Sequence, residues 1–527
     1  MKRKLIALLL TLTLIAVLAA ACAPADTGAG DTPSDAGTPG DTGNQAGTDT
    51  APPVAPGEVV DLVLAMGTFV LPNDVQVVQD ALNEILTPRY GINLELLVMD
   101  VASYAQNATL MLTGGEQIDV MSSLFVGYMT MHQQGFLLDL EENNLLQNHG
   151  AGIVEALGGW DIVNGTRVAG TLYGLPTNVD HASGRGAFAV GSQYLEAIGY
   201  PLPSPNNDII HISIEEFEDI LAQLHEAFPD IETIRPLMPG NITHYFSIDF
   251  LGADPFGVLL DPANNLTVSD FFTSQIFYDY VTMAHRWNQL GFIGGDAAVD
   301  DTPVTALTAA GRIMSYFTSG KPGIVVQESG LCAQPMTIFQ TGIDFMASNA
   351  AARFPWVIPW TTANPEMAMT LMRALYTDPE ISNLLIWGVE GVHYEVQPSG
   401  HIDFAPGLDG SNSGWFVNMA WAMPNQFISH VWVGDDLDLA DQLIAFNDNA
   451  VQSLAFGFLF DPAPVQHEIV AVTSVFNELI PSLGLGFVDP AEGIAELESR
   501  MNAAGLPAII AEKQAQLDAW ATAAGVG

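Results

Sequence analysis

The sequence predicts an α/β protein whose first part forms a parallel sheet and whose last part is helical. Residues 59–65 and 118–121 are short β-like runs, and residues 92–98 alternate apolar and polar side chains as a strand does. Helical patterns separate these runs, one after Pro72-Asn73-Asp74 and another over residues 103–112. Strands that alternate with helices at this spacing indicate a parallel sheet.

The same patterns predict further elements along the chain. They are a strand at 171–178, helices at 214–228 and 271–290, β-like runs at 311–316 and 323–327, and helices at 365–376 and 379–386. Three helices with a proline near each start are expected at 464–480, 490–503 and 506–523. The chain contains no internal repeat.

The first 22 residues have the pattern of a secretory signal. Basic residues 2–4 precede an apolar run over 5–21, which is short and alanine-rich for a membrane-spanning helix, and Cys22 follows. The sequence LAAAC resembles a bacterial lipoprotein signal, although Leu18 lies four residues before the cysteine instead of three. By that resemblance, residues 1–21 are a signal peptide and Cys22 carries the lipid that anchors the protein at the outer face of the cell membrane. A plain secreted protein is the alternative.

Residues 22–57 are predicted to be a disordered linker, because they consist mainly of Gly, Thr, Asp, Ala and Pro and contain almost nothing to bury. The body that follows is long enough for two or more domains. The chain has only two cysteines, Cys22 and Cys332. Once Cys22 is lipidated no intrachain disulfide is possible, so packing must provide the stability.

The charge of the chain limits its partners. Its 60 acidic and 14 basic residues give a formal net charge of −46. Such a surface repels the nucleic-acid backbone and also anionic lipid, so nucleic-acid function is excluded. The sequence has no G-x-S-x-G, no H-E-x-x-H, no Cys/His metal pattern and no phosphate loop. We therefore predict no enzyme, with no catalytic residues, metal or cofactor; a carboxylate pair of a glycoside hydrolase is the enzymatic alternative.

Residues 383–426 combine aromatic rings with neutral and acidic hydrogen-bonding groups. The rings include Trp387, Tyr394, Trp415, Phe416 and Trp421, and the polar groups are Glu390, Asn412, Asn418, Asn425 and Gln426. Sugars present apolar C–H faces ringed by hydroxyls, which suit aromatic platforms edged by amides and carboxylates. The stretch therefore suggests a carbohydrate site, although burial in the core is the alternative for each ring.

Six motifs follow one another in the order of a known family. They are YGLP (173–176), YTDPE (376–380), GVEGVHY (388–394), SNSGW (411–415), FGFLFDPAPVQHE (456–468) and AEKQAQLDAW (511–520). The chain resembles the solute-binding lipoproteins of bacterial ABC importers, and more narrowly the aldouronate-type carbohydrate family that ends in a C-terminal domain of unknown function. The resemblance implies a type II periplasmic-binding-protein-like fold, with two α/β lobes, a ligand in the cleft between them, and closure on binding.

The resemblance also implies a domain layout and a partner. The first lobe is expected over 58–180, with roughly 310–365 returning to it. The second lobe is expected over 181–309 and 366–527, including the helical C-terminal region. Relatives often carry a basic residue where Val392 stands, so an acidic sugar is less expected here. The protein is expected to be a monomer that delivers its ligand to the ABC permease.

The predicted ligand-binding residues are Tyr173, Asp180, Arg185, Glu390, Tyr394, Trp415, Trp421 and Asn425. Tyr173 would stack on a sugar near the crossing between lobes, and Asp180 would accept hydroxyl protons or serve as a cap or hinge hydrogen bond. Arg185 would pair with a ligand carboxylate, although a structural ion pair is the favoured interpretation. The other five come from the stretch 383–426.

The sequence thus predicts the extracellular substrate-binding component of an ABC importer, which binds an oligosaccharide and delivers it to the permease. Three alternatives stay open. In the first, the protein belongs to an importer but its ligand is a peptide or another small solute. In the second, the protein is an extracellular glycoside hydrolase. In the third it is a surface adhesion protein that binds polysaccharide without closing its lobes.

Overall fold

A computed structural model describes residues 59–204, 208–236, 245–252, 254–300, 302–410 and 412–526. The predicted signal peptide, the predicted linker with Cys22, and Ser411 of the SNSGW motif lie outside these residues. The strands are β1 Val60–Thr68, β2 Ile92–Asp100, β3 Val120–Ser122, β4 Arg167–Val168, β5 Thr171–Leu172, β6 Gly174–Leu175, β7 Ser183–Gly191, β8 Ile210–His211, β9 Val258–Leu259, β10 Val268–Ser269, β11 Ser315–Gly320, β12 Met336–Gln340, β13 Asp344–Met346, β14 Trp356–Val357, β15 Tyr394–Val396, β16 Ile402–Phe404 and β17 Val451–Gln452.

The helices alternate with these strands in the first half of the chain and dominate its end. They are α1 Val75–Tyr90, α2 Val101–Gly114, α3 Tyr128–Gln133, α4 Leu145–His149, α5 Ile153–Ala156, α6 Trp160–Asn164, α7 Ser192–Ala197, α8 Ile214–Ala227, α9 Gln275–Gln289, α10 Val304–Ala309, α11 Ile324–Cys332, α12 Pro365–Thr377, α13 Pro379–Trp387, α14 Leu439–Asn449, α15 Gln466–Gly484, α16 Pro490–Ala504 and α17 Leu506–Ala524. None of the helices that the structure describes is long and apolar enough to cross a membrane.

The first lobe is built on a five-stranded sheet with the order β2-β1-β3-β14-β6. β1 pairs in parallel with β2 and β3, and α1 and α2 make the crossovers, as the alternating patterns predict. β14 runs antiparallel between β3 and β6. Leu62, Leu64 and Leu96 pack with α1 and α12 into one core. The predicted α/β fold is therefore confirmed.

The second lobe has its own sheet around the long strand β7. β11 pairs with one side of β7, while β12 and β13 pair with the other, all antiparallel. β8 and β17 add to the edges of β12 and β13 in parallel. Phe188 of β7 and Phe339 of β12 pack against Phe217 of α8 in a separate core.

The lobe boundaries differ from the expected ones. Within residues 310–365, strands β11, β12 and β13 belong to the second sheet, and β14 is the strand that joins the first. Conversely, α12 and α13 lie in the expected second-lobe range 366–527 but pack on the first lobe, where Leu371 and Leu375 share a core with Leu62. The prediction was wrong here because strand pairing and helix docking join segments far apart in the chain, which local patterns do not encode.

The three C-terminal helices were predicted within a few residues, and they cover the second lobe. Phe476, Leu497 and Leu517 enter the same core as Phe217. Lys513 on α17 is fully buried, and its ammonium donates to three oxygens of the loop 250–257. This buried contact ties the end of the chain to the second lobe.

One strand prediction was wrong in type. Residues 323–327 were expected to be β-like but lie at the start of α11. Gly323 has a φ of 81°, which turns the chain into the helix and which glycine adopts without strain. Ile324 and Val325 are buried there, so tertiary burial outweighs the β preference of these branched residues.

Candidate ligand-binding cleft

The first sheet has a reversal of strand order next to β1. The chain moves from β1 to β2 on one side and then crosses to β3 on the other, so its two connections diverge at the carboxyl end of β1. In open α/β sheets such a reversal leaves a crevice outside the carboxyl ends of the strands, and ligands bind there. The residues that follow β1 and β3 are therefore the first candidates for a site.

Two phenylalanines stand at this edge. Phe69 follows β1 and is 55% exposed, and its ring lies 5.6 Å from the ring of Phe125, which follows β3. Phe125 has a φ of 70°, an unusual value for an aromatic residue. A Cβ added to Gly67 would lie 2.9 Å from Tyr104 Cγ and 3.1 Å from Phe125 Cδ2. Only glycine therefore allows these rings to approach the strand so closely.

A second aromatic pair lies where β14 begins, at the same edge of the sheet. The rings of Phe354 and Trp421 are 5.4 Å apart at 74°. Trp356 Nε1 donates to the carbonyl of Ala422 (2.9 Å), which holds the turn that carries Trp421 against the sheet. Both Phe354 and Trp421 are partly exposed.

A chain of contacts links this pair to the second lobe. Lys321 Nζ lies 3.3 Å from Asp180 Oδ1, and Arg353 Nη2 donates to the Asp180 carbonyl (2.6 Å). The Arg353 guanidinium also lies 5.4 Å from the centre of the Phe354 ring. We call Lys321, Asp180, Arg353, Phe354 and Trp421 the hinge strip. It runs along the segments in which the chain crosses between the lobes.

The hinge strip borders a cavity of about 340 Å³ on the second lobe. The polar residues that line it include Asp180, Ser183, Thr318, Ser319, Lys321, Glu328 and Arg353. Glu328 accepts hydrogen bonds from Tyr316 (2.5 Å) and Thr318 (2.6 Å), whereas Ser183 Oγ is buried without a partner among the described residues. Hydroxyls, two carboxylates and two cations thus lie beside aromatic rings, a combination that suits a polar ligand with apolar patches.

Solved structures of other proteins share this architecture. The fold matches the N-glycan transport solute binding protein NgtS from Streptococcus pneumoniae with a TM-score of 0.74, at 21% identity, over 87% of this chain and 98% of that one. The chain has the two-lobed fold of solute-binding proteins. The S. pneumoniae substrate-binding protein FusA in complex with kestose also matches, with a TM-score of 0.60 and 14% identity over 88% and 100% of the two chains.

Sequence comparison agrees with the fold. A carbohydrate ABC transporter substrate-binding protein from S. pneumoniae is 24% identical over 450 residues, which cover 83% of this chain and 86% of the relative. Residues 454–522 match the model of a domain of unknown function, DUF3502. These matches confirm the resemblance that the six motifs indicate.

In this solute-binding fold, two of the predicted residues lie on the hinge strip and two others do not face a cleft. Asp180 and Trp421 are the two on the strip. Trp415 is 1% exposed and packs in the core of the first lobe, so neither face of its ring is open to a ligand. Asn425 is equally buried, and its amide bonds to Asn178 (3.0 Å) and to a backbone carbonyl (2.7 Å). Asn425 thereby links Asn178, on the first crossing between the lobes, to the end of α12.

Glu390 and Tyr394 lie near the start of α1. His393 Nε2 is 3.3 Å from Asp74 Oδ2, and its Nδ1 accepts from the backbone N–H of Val389 (2.8 Å), so this histidine joins the loop to the start of α1. Tyr394 is buried, and burial raises the pKa of its hydroxyl to about 12. Glu390 is exposed. Of the two, Glu390 stays a candidate for the rim of the cleft.

Arg185 and Tyr173 point to other parts of the molecule. Arg185 is buried in the second sheet, 5.4 Å from the ring of Phe345, and burial lowers its pKa to about 10. Tyr173 packs on α3 with its ring 4.9 Å from His132, which lines a separate cavity of about 780 Å³ facing Trp520 of α17. The charge of Arg353 on the hinge strip also lowers the pKa of Arg185, whereas no hydrogen bond joins Tyr173 to the strip among the described residues.

Sequence reasoning missed Phe69, Phe125, Lys321, Arg353 and Phe354. Phe69 and Phe125 each follow a predicted parallel strand. Residues at the carboxyl ends of such strands are candidates for a ligand site, so their positions in the sequence could have identified both. No comparable signal marks Arg353 and Phe354, because β14 is only two residues long. Among the described residues no group of three His, Cys, Asp or Glu side chains is placed to hold a metal ion.

Proposed function

We propose that this protein is the extracellular substrate-binding component of an ABC importer, and that it binds an oligosaccharide between its lobes. The observation that carries the proposal is the hinge strip, which brings aromatic faces and charged hydrogen-bonding groups together at the crossing between the lobes. A ligand that contacts the strip and both lobes binds the closed form more strongly than the open form, so it shifts the protein toward closure.

The relatives support a sugar as the ligand. NgtS has been crystallised with Man5GlcNAc, and FusA with kestose. Pyranose and furanose rings both expose C–H faces and hydroxyls, which the Phe354–Trp421 pair and the polar groups around Asp180 complement. The strip holds two cations and one carboxylate within a chain of net charge −46, so it supplies both donors and acceptors for sugar hydroxyls.

We further propose the arrangement at the membrane. Cys22 carries the lipid, residues 22–57 act as the tether, and the body delivers its ligand to the transmembrane subunits of the permease. The protein acts as a monomer without cofactor or nucleic acid, and it performs no covalent chemistry.

A thermal-unfolding screen tests the proposal. The mature protein is heated alone and with neutral oligosaccharides, uronate-bearing oligosaccharides or short peptides. A ligand that binds only the native state stabilises it by RT ln(1 + [L]/Kd), about 2.7 kcal/mol at a hundredfold excess over Kd. A shift with oligosaccharides alone supports the proposal. A shift with peptides alone would replace the sugar by a peptide, and release of shortened sugars would indicate a hydrolase.

A further inference from the structure

The first crossing between the lobes has cavities on two sides. Asp180, Ala182 and Ser183 line the cavity beside the hinge strip, whereas Asn178 and His181 line another of about 630 Å³. We call the second one the rear cavity. The crossing therefore lies between the two spaces, with His181 on one side and Asp180 and Ala182 on the other.

Both lobes contribute walls to the rear cavity. Leu157 and Ile162 come from the first lobe, Met346 from the second sheet, and Ile444 from α14. The volume lies within the range of about 300–1,000 Å³ that is usual for small-molecule sites. The space is therefore large enough for a ligand of its own.

His181 is one of the polar residues that line this cavity. It is 6% exposed; the Ala350 backbone is a partner of its ring, and among the described residues neither ring nitrogen bonds to a side chain. Burial, reinforced by the charge of Arg353 and opposed by the Ala350 backbone, lowers the pKa of His181 to about 4. The imidazole is thus neutral near pH 7, with one N–H donor and one acceptor nitrogen. The Ala350 backbone can occupy only one of the two nitrogens, so the other is left for a ligand in the cavity that His181 lines.

The lining defines the class of molecule. Among the described residues no Lys or Arg lines the rear cavity, and the exposed carboxylates of Glu155 and Asp448 stand at its mouth. An anion is disfavoured by these charges. Carboxylates accept hydrogen bonds from hydroxyls, the second imidazole nitrogen donates to or accepts from a hydroxyl according to its tautomer, and Leu157 and Ile162 cover apolar faces. We propose that the rear cavity is a second binding site, separate from the cleft, for a neutral polyhydroxy molecule of monosaccharide size.

Isothermal titration of the mature protein with glucose, mannose and N-acetylglucosamine tests this site. His181→Phe keeps a ring but removes both nitrogens, and Ile444→Trp fills the cavity from the surface of α14. Val470→Trp is the matched control, because Val470 is 59% exposed on α15 and lines neither cavity. We expect at least one sugar to bind, with the affinity falling about tenfold in His181→Phe and Ile444→Trp and unchanged in the control.

Trp421→Ala distinguishes the rear cavity from the cleft. Monosaccharide affinity is expected to be unchanged in this variant, whereas oligosaccharide affinity falls. Absence of saturable monosaccharide binding to the wild type would overturn the proposal, and so would binding that is lost in Trp421→Ala but retained in Ile444→Trp. If His181→Phe fails to fold, Ile444→Trp alone decides. Oligosaccharide titration of the same samples reports separately on the proposed importer function.

Discussion

Lys513→Met tests how the last helix is held to the second lobe. The buried ammonium of Lys513 donates to the carbonyls of Phe250 and Gly257 (both 3.2 Å) and to the carboxylate of Asp254 (3.1 Å). Methionine preserves the length of the side chain but removes all three donors. The two buried carbonyls then lose their partner.

The loss of stability follows from these contacts. A hydrogen bond from a charged donor is worth roughly 1.5 kcal/mol or more, so two lost carbonyl bonds cost about 3 kcal/mol. The Asp254 side chain is 31% exposed, so water replaces its lost partner and the ion pair adds little. We expect the free energy of unfolding to fall by about 3 kcal/mol.

Urea unfolding of the mature protein measures this difference, with tryptophan fluorescence as the signal. Ala515→Met is the matched control, since it places the same side chain on the exposed face of α17. Its effect is expected to stay within about 0.5 kcal/mol. A loss below about 1 kcal/mol in Lys513→Met, or an equal loss in both variants, would refute the reasoning.

Three further predictions concern the cleft and its surroundings. Trp421→Ala is expected to weaken oligosaccharide binding about tenfold, measured by calorimetry, because it removes one ring of the Phe354–Trp421 pair. Trp160 is an exposed tryptophan outside the hinge strip, so Trp160→Ala is the control and should leave binding unchanged. The pKa of His181 is lowered from 6.5 to about 4, so the unfolded chain takes up a proton first. The unfolding free energy should therefore fall by up to about 3 kcal/mol as pH drops through that window, and His181→Gln should flatten the pH profile of urea unfolding. Gly67→Ala places a Cβ 2.9 Å from Tyr104 Cγ and should cost roughly 1–3 kcal/mol of stability in the same assay; an unchanged midpoint would contradict that contact.

The exposure of some site residues follows from the local sequence around them. Gly388 and Gly391 flank Glu390 directly after α13, and Glu390 is exposed there. The position of Phe69 directly after a strand would also have marked it. The local sequence does not distinguish the burial of Trp415 from that of Trp421. Both are aromatic, both lie in the same broken stretch and they are six residues apart, yet one is in the core and the other at the edge of the cleft.

The sequence by itself determined the elements and their order: the parallel αβ units of the first lobe, the three C-terminal helices, and an acidic chain unsuited to nucleic acid. Side-chain periodicity and capping residues act within a few turns of the chain, so these features are local. The tertiary structure alone decided which sheet receives β11 and β12, and which groups meet at the hinge strip. Asp180 and Lys321 are 141 residues apart, and Asp180 and Arg353 are 173 apart. Contacts of that range arise only when both lobes have packed their cores, because burial and strand pairing, not neighbouring residues, choose the partner.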